Sequence, residues 1–423
     1  MNERGLWYSL PTSKQAIHSV DLTFGSAQAG FRNVPVTPLV IRCVRQVQQK
    51  LKAPSLLLCF VLCLTIVATV PARTETTDTA SEELHFFGTP FLTYAPETHF
   101  RLGSALIASA HLDSKSVPQR RASTFSSTLS LTQLKQYSIT GRADLFFNNL
   151  RSRLSGRIAY ERMPNRFYGY GAHSTQADEV WYYPDYLRTE LMYLHRVVAT
   201  VEGQGISVGA RVEYSNTSMY GELPKAPTNG PEPPGWRGGV CAGLGVVATL
   251  DTRDNPYYPT CNEYVEFRNM QYLPVAGGTF QYNRTYIDAR KYFGVDVGSY
   301  TPVLCAQILW DNTIGNAPFY DMPTYGGADK VRGVLAGRYV DRSSLTAQLE
   351  LRSQLFWVVG AAAFIGIGDV APSFRQHSFS HSMIAGGAGL RAYVNSNGGM
   401  IGRIDVGFSE WGTGVYVSFA EAF

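Results

Sequence analysis

A period of two, repeated from about Pro90 to Phe423, limits what this chain can become more than any other feature. "SLTAQLELR", Ser344–Arg352, shows it plainly: Leu345, Ala347, Leu349 and Leu351 take one parity, and Thr346, Gln348, Glu350 and Arg352 take the other. Successive side chains of an extended chain point to opposite faces, so this is a two-faced strand. "RLSGRIAYE" sets Leu154, Gly156, Ile158 and Tyr160 against Arg153, Ser155, Arg157 and Glu161, and "GRIDVGF" sets Ile404, Val406 and Phe408 against Arg403, Asp405 and Gly407. About sixteen such segments follow one another, parted by Gly, Pro, Asn, Asp and Ser clusters, with no amphipathic helix of useful length between them. The 25 Tyr, 22 Phe and 40 Gly beside only 17% charged residues suit the same β architecture.

A soluble β-sandwich would alternate too, and loop lengths separate the two folds. Connections after even-numbered strands are mostly short, as in "NNLR", "DTRDNPYYPT", "QLFW" and "NSNG". Several after odd-numbered strands are long: Asn165–Asp185, Ser215–Trp236, Asn312–Arg342 and Asp369–His381. Long loops at one end, short turns at the other and an even strand count are the arrangement of outer-membrane barrels. In hydrocarbon every backbone amide needs a partner, so the sheet has to close. The expectation is an all-β, membrane-spanning antiparallel β-barrel of about 16 strands over residues 90–423, multi-pass in the bacterial outer membrane and in contact with its lipid. Its charged parity lines the lumen, with Arg153, Arg157, Arg188, Arg284 and Arg290 offset by Glu161, Glu190 and Asp288. In the closing "GVYVSFAEAF", Val415, Val417, Phe419 and Phe423 share a parity, which suits an assembly signal read by the barrel assembly machinery during biogenesis.

The N-terminal part differs in character. Residues 1–72 hold seven Lys/Arg against two Asp/Glu, leaving thirty against thirty-one for the rest, a near-neutral body that does not suit nucleic acid. Four basic residues between Arg42 and Lys52 precede the apolar run Ser55–Val70, and Pro71-Ala72 closes it, which reads as a secretory signal cleaved after Ala72. Residues 1–39 then read as a mis-assigned start, and residues 73–89 as a periplasmic linker too small for a folded domain.

No catalytic or metal chemistry is expected from the motifs. The three cysteines beyond the leader, Cys241, Cys261 and Cys305, are odd in number, lie in strand-like segments and lack metal-ligand spacing. His377 and His381 stand four apart without a carboxylate cluster, no Gly-x-Ser-x-Gly elbow occurs, and no His/Asp set is expected to meet at the barrel mouth. The reading is a protein that is not an enzyme and has no cofactor, with a lipase-like site built from loop Ser and His residues as the minor alternative.

Five stretches, in order, carry a resemblance: "PFLTYAPET", "DTRDNPYYPT", "GGADKVRG" before the twelfth strand, "AFIGIGDVA" on the thirteenth, and the closing "AEAF". Together they resemble the BamA/TamA-type bacterial surface antigen family over about residues 86–423. The resemblance implies that the loop bearing Val331, Arg332 and Gly333 folds into the lumen, where acidic groups of the barrel wall hold the arginine. Glu350 and Asp405, on inward parities, are the candidate partners, with Asp369 at a strand end as a third. One departure is Gly366, where the family pattern often has an aspartate two residues after the phenylalanine, here Phe364. The resemblance also implies insertion or transport of proteins or lipids at the outer membrane through a weak seam between first and last strands, the first being short and proline-bounded. A separate periplasmic partner would supply what the linker lacks. The alternatives are a passive channel or receptor for small solutes, and an adhesion protein using aromatic loops such as "RFYGYGAHSTQADEVWYYPD".

Overall fold

The computed structural model describes residues 84–112, 122–200, 204–221, 225–226, 232–295, 297–298, 302–356, 358–393 and 401–423. The proposed leader, residues 1–72, lies outside them. Sixteen antiparallel strands close into one barrel in chain order. They are β1 (His85–Ala95), β2 (His99–Ala110), β3 (Ser123–Thr132), β4 (Tyr137–Phe147), β5 (Ser152–Arg162), β6 (Pro184–Ala199), β7 (Gly205–Met219) and β8 (Gly238–Asp251). The second half comprises β9 (Asn262–Tyr272), β10 (Tyr282–Gly294), β11 (Val303–Gly315), β12 (Ser343–Phe356), β13 (Val359–Ala371), β14 (Met383–Tyr393), β15 (Ile401–Ser409) and β16 (Gly412–Phe419). β1 is longer than the sequence suggested, since His85–Thr89, read as linker, extend its ladder with β2.

The barrel is turned inside out relative to a soluble protein. On β12 the residues Thr346, Gln348, Glu350 and Arg352 are buried in the interior, while Leu349 and Leu351 are about half exposed on the outer wall. Ile308, Ile365, Leu390 and Ile404 continue that exposed apolar belt. Leucine and isoleucine on the outside with arginine and glutamate inside is the facing of a barrel whose outer solvent is hydrocarbon. Cys241 and Cys305 sit buried in strands; Cys261, expected inside a strand-like segment, is exposed at the turn entering β9.

The longest connections, residues 163–183, 220–237 and 316–342, follow β5, β7 and β11 and so gather at one end. Two form small ladders, Asn165–Phe167 with Val180–Tyr182 and Thr324–Tyr325 with Tyr339–Val340. Phe167, Tyr182, Trp236, Phe280 and Phe319 pack there in one buried cluster. Of the loop aromatics read as an adhesive surface, Phe167, Tyr168 and Tyr182 are therefore buried, while Tyr170 stays exposed. Burying aromatic rings against each other removes more apolar area from water than displaying them would.

Candidate functional site: a lumenal arginine cluster beside the seam

The 316–342 loop turns back into the barrel, and its tip is shaped by local backbone geometry. Val331 adopts φ 44° and Gly333 φ 113°. The first is unusual for a β-branched residue and costs about 1–3 kcal/mol unless the surroundings impose it. Here Gln348 Oε1 accepts the Val331 N–H at 2.9 Å, and Tyr416 Oη accepts the Gly333 N–H at 3.1 Å. Ser409 Oγ donates to the Gly333 carbonyl at 2.8 Å. A side chain at Gly333 would meet the backbone of Phe408 at 2.9 Å, so only glycine lets the tip lie against β15.

Between these anchors Arg332 is fully buried. Its Nη1 donates to Asp405 Oδ2 at 2.7 Å, its Nη2 to Glu350 Oε2, and its guanidinium lies 3.6 Å from the centre of the Phe364 ring. A desolvated guanidinium needs such paired carboxylates, because an unpartnered charge in this environment is costly. Gly366 faces the loop tip, where a Cβ would stand 3.4 Å from Val331 Cα, at ordinary contact distance. The acidic partners come from β12 and β15 instead.

The third candidate partner, Asp369, does not join. It lies an odd number of residues from inward-facing Phe364, hence on the outer face, and its Oδ2 bonds His377 Nδ1 at 2.9 Å. Three arginines that sequence reasoning passed over do join. Arg391 Nη1 donates to Asp405 at 2.6 Å, Arg403 Nη1 to the same carboxylate at 3.2 Å, and Arg352 Nε lies 3.2 Å from Glu350. Their inward parity was the available signal, since Arg352 and Arg403 each stand two residues from Glu350 or Asp405 on the same strand, and Arg391 lies opposite Arg403 in register. With Glu421 and Asp329, four side-chain carboxylates face the four arginines.

The C-terminus completes it. Val415 and Phe419 face outward on β16, with Val417 between them in parity, but Ala420 takes φ 63° and turns the last residues inward. Phe423, expected on the outer parity with those three, is instead buried against Tyr292, Val303 and Cys305. Arg352 Nη2 donates to its carbonyl at 2.9 Å, and Arg391 Nε to Glu421 at 2.9 Å. The ion pairs outweigh the alternation of the last four residues.

That turn decides the state of the seam. β1 and β16 pair only at Tyr94↔Val417, whereas β15 and β16 pair from Gly402↔Phe419 to Ser409↔Gly412. Pro90, within β1, has no amide to offer. Further along the inner wall, Arg157 pairs with Glu161 and Glu190, Arg284 with Asp311 and Asp321, and Arg290 with Asp288. These strands enclose a cavity of about 610 Å³ lined by Arg188, Glu190, Arg211, Glu213, Arg284 and Lys330. Among the described residues, no group of three or more His, Cys, Asp and Glu is placed to hold a metal ion.

Residues 242–419 match the Omp85 superfamily domain. The crystal structure of BamA from Haemophilus ducreyi lacking POTRA domains 1–3 superposes with a TM-score of 0.54 at 11% identity, over 80% of this chain and 70% of that one. CdiB from Acinetobacter baumannii superposes with a TM-score of 0.52 at 13% identity, over 81% of this chain and 61% of that one. No curated protein sequence matches the chain. The resemblance read from the motifs thus holds at the level of the superfamily domain and of the 16-stranded fold.

Proposed function

We propose that this chain, an Omp85-type barrel, resides in the bacterial outer membrane and assists the insertion or transport of proteins or lipids there, opening between β1 and β16. The observation that carries the reading is the single residue pair joining those strands. Backbone amides left unpaired at an edge are a template for another strand, and in a membrane their exposure is costly enough that an incoming strand is favoured. The lumenal cluster sits against the same place, since Gly333 bonds Tyr416 of β16 and Asp405 belongs to β15. The likeness to neighbouring barrels is one of fold, and the reading rests on the seam, since fold alone does not assign function.

The test uses the full chain, folded into liposomes. The rate at which an unfolded outer-membrane protein inserts is measured against empty liposomes, with ionic conductance read from the same preparation. Faster insertion, reduced by Arg332→Ala, is the expected result. Conductance without acceleration would sink the assembly reading in favour of a channel for small solutes, for which the charged wall and the 610 Å³ cavity are the supporting observations.

A further inference from the structure

We propose that Ser343, His377 and Asp369 form a hydrolase site on the lipid-facing rim of the barrel, with the acyl ester of a membrane lipid as substrate. Ser343 Oγ lies 2.9 Å from His377 Nε2, and His377 Nδ1 lies 2.9 Å from Asp369 Oδ2. Nucleophile, base and orienting carboxylate are recognised by this geometry, whatever fold carries it. The roles follow from donors and acceptors. An ionised Asp369 only accepts, so Nδ1 carries the proton and Nε2 presents its lone pair to the serine hydroxyl. Trp310 Nε1 donates to Ser343 Oγ at 3.1 Å, which leaves the hydroxyl hydrogen directed to His377. No sequence motif announced the set, because Ser343 opens β12, Asp369 lies on β13 and His377 on the loop after it.

The face on which the site lies selects the substrate. Ser343 shares the outward parity of Leu345, Leu349 and Leu351, and Asp369 that of Ile365, which is 53% exposed. Neither belongs to the lumen. Both stand at the long-loop end of their strands, where Phe374 and Phe379 are exposed and Trp310 packs edge-on to Phe374 at 5.1 Å. Aromatic side chains at a barrel rim mark the depth of the lipid headgroups, and ester bonds lie just beneath that level. A cavity of about 460 Å³ among the outer loops reaches Asp369 and is lined by Arg342, His173, His381 and Gln376. Arg342, exposed and next to Ser343 in sequence, favours an anionic headgroup.

Ser343 itself is fully buried, so the site is closed in this structure. Trp310 covers it from β11, whereas His377 and Asp369 come from β13 and its loop. The indole bonds Ser343 and packs on Phe374 of the loop that carries His377, so opening the site requires the indole to move outward. Once it does, Ser343 Oγ bonds to the acyl carbonyl carbon while its proton passes to His377 Nε2. The ester C–O bond breaks, and His377 returns that proton to the departing glycerol oxygen. Water then attacks the acyl-enzyme carbon, gives its proton to His377, and the Ser343 C–O bond breaks as the serine regains a proton and the fatty acid leaves.

The test uses the full chain folded into vesicles of phosphatidylglycerol and phosphatidylethanolamine. A fluorophosphonate probe is mapped by mass spectrometry and fatty-acid release is followed separately. Expected are a single adduct on Ser343, lost in Ser343→Ala, formed about tenfold faster in Trp310→Ala, and fatty-acid release that falls about 100-fold in His377→Gln, the usual scale for a general base. Each variant's folding is verified by its heat-dependent migration on gels. An unlabelled Ser343 in folded Trp310→Ala barrels overturns the proposal, because the uncovered serine is then inert and the triad only pins the loop. An adduct with no fatty acid released above vesicles alone overturns it equally.

Discussion

Arg332→Ala is expected to lower the unfolding free energy of the barrel by about 3 kcal/mol and to release the 316–342 loop from the lumen. Removing one partner of a buried ion pair costs about 3–5 kcal/mol, mainly because a charge is stranded. Here the stranding is incomplete: Glu350 keeps Arg352 and Arg391, and Asp405 keeps Arg391 and Arg403. Release of Val331 from its left-handed backbone conformation returns a further part, while loss of the Phe364 contact adds up to about 2 kcal/mol in a desolvated setting. The lower end of the range is the net expectation. Arg332→Lys retains charge but reaches one carboxylate rather than two, and should lose about half as much. Unfolding in urea, followed by tryptophan fluorescence in detergent micelles, gives the free energies. Limited trypsin digestion reports the loop, with new cuts after Lys330 and Arg338 expected only in the variants. A loss below about 1 kcal/mol with the loop still protected would refute the view that this arginine holds it.

Phe423→Ala should lower equilibrium stability by about 3 kcal/mol through the cavity left beside Tyr292 and Cys305; slower assembly with an unchanged urea midpoint would instead leave it only a biogenesis signal. Tyr94→Cys with Val417→Cys, opposite one another across the seam, should oxidise to a crosslink that abolishes accelerated insertion and is reversed by reductant; full activity of the crosslinked barrel would rule out seam opening. Burial raises the Glu97 carboxyl, in the turn between β1 and β2, above its ordinary 4.5, with Asp329 adding to the rise and Arg101 opposing it. The folded state then holds that proton more tightly than the unfolded chain, so this contribution grows as pH falls through the raised value and is complete below about 4.5. Glu97→Gln should raise the urea midpoint at pH 7 and leave it unchanged at pH 4; equal midpoints at pH 7 would show the burial to be inconsequential.

Much of this was legible because a strand's side-chain period is two and a barrel has only two faces. Once Leu349 is assigned to lipid, Glu350 must face the lumen, and Arg332 had inward carboxylates to meet there. The same parity, applied to Asp369, would have placed it outside; proximity to a strand end misled where counting from Phe364 would not. The β1 boundary was missed because His85–Gly88 pair with β2 despite lacking clear alternation, the ladder supplying what pattern did not.

By itself the sequence determined the number, order and facing of the strands, because hydrocarbon outside and charge inside leave alternating residues no freedom. Tertiary structure alone decided that Arg352, Arg391 and Arg403 join the Arg332 cluster, that Phe423 turns inward, that a single residue pair joins β1 and β16, and that Ser343, Asp369 and His377 come together. Those contacts join residues on different strands and loops, and their energies depend on closure of the barrel, which no local pattern records.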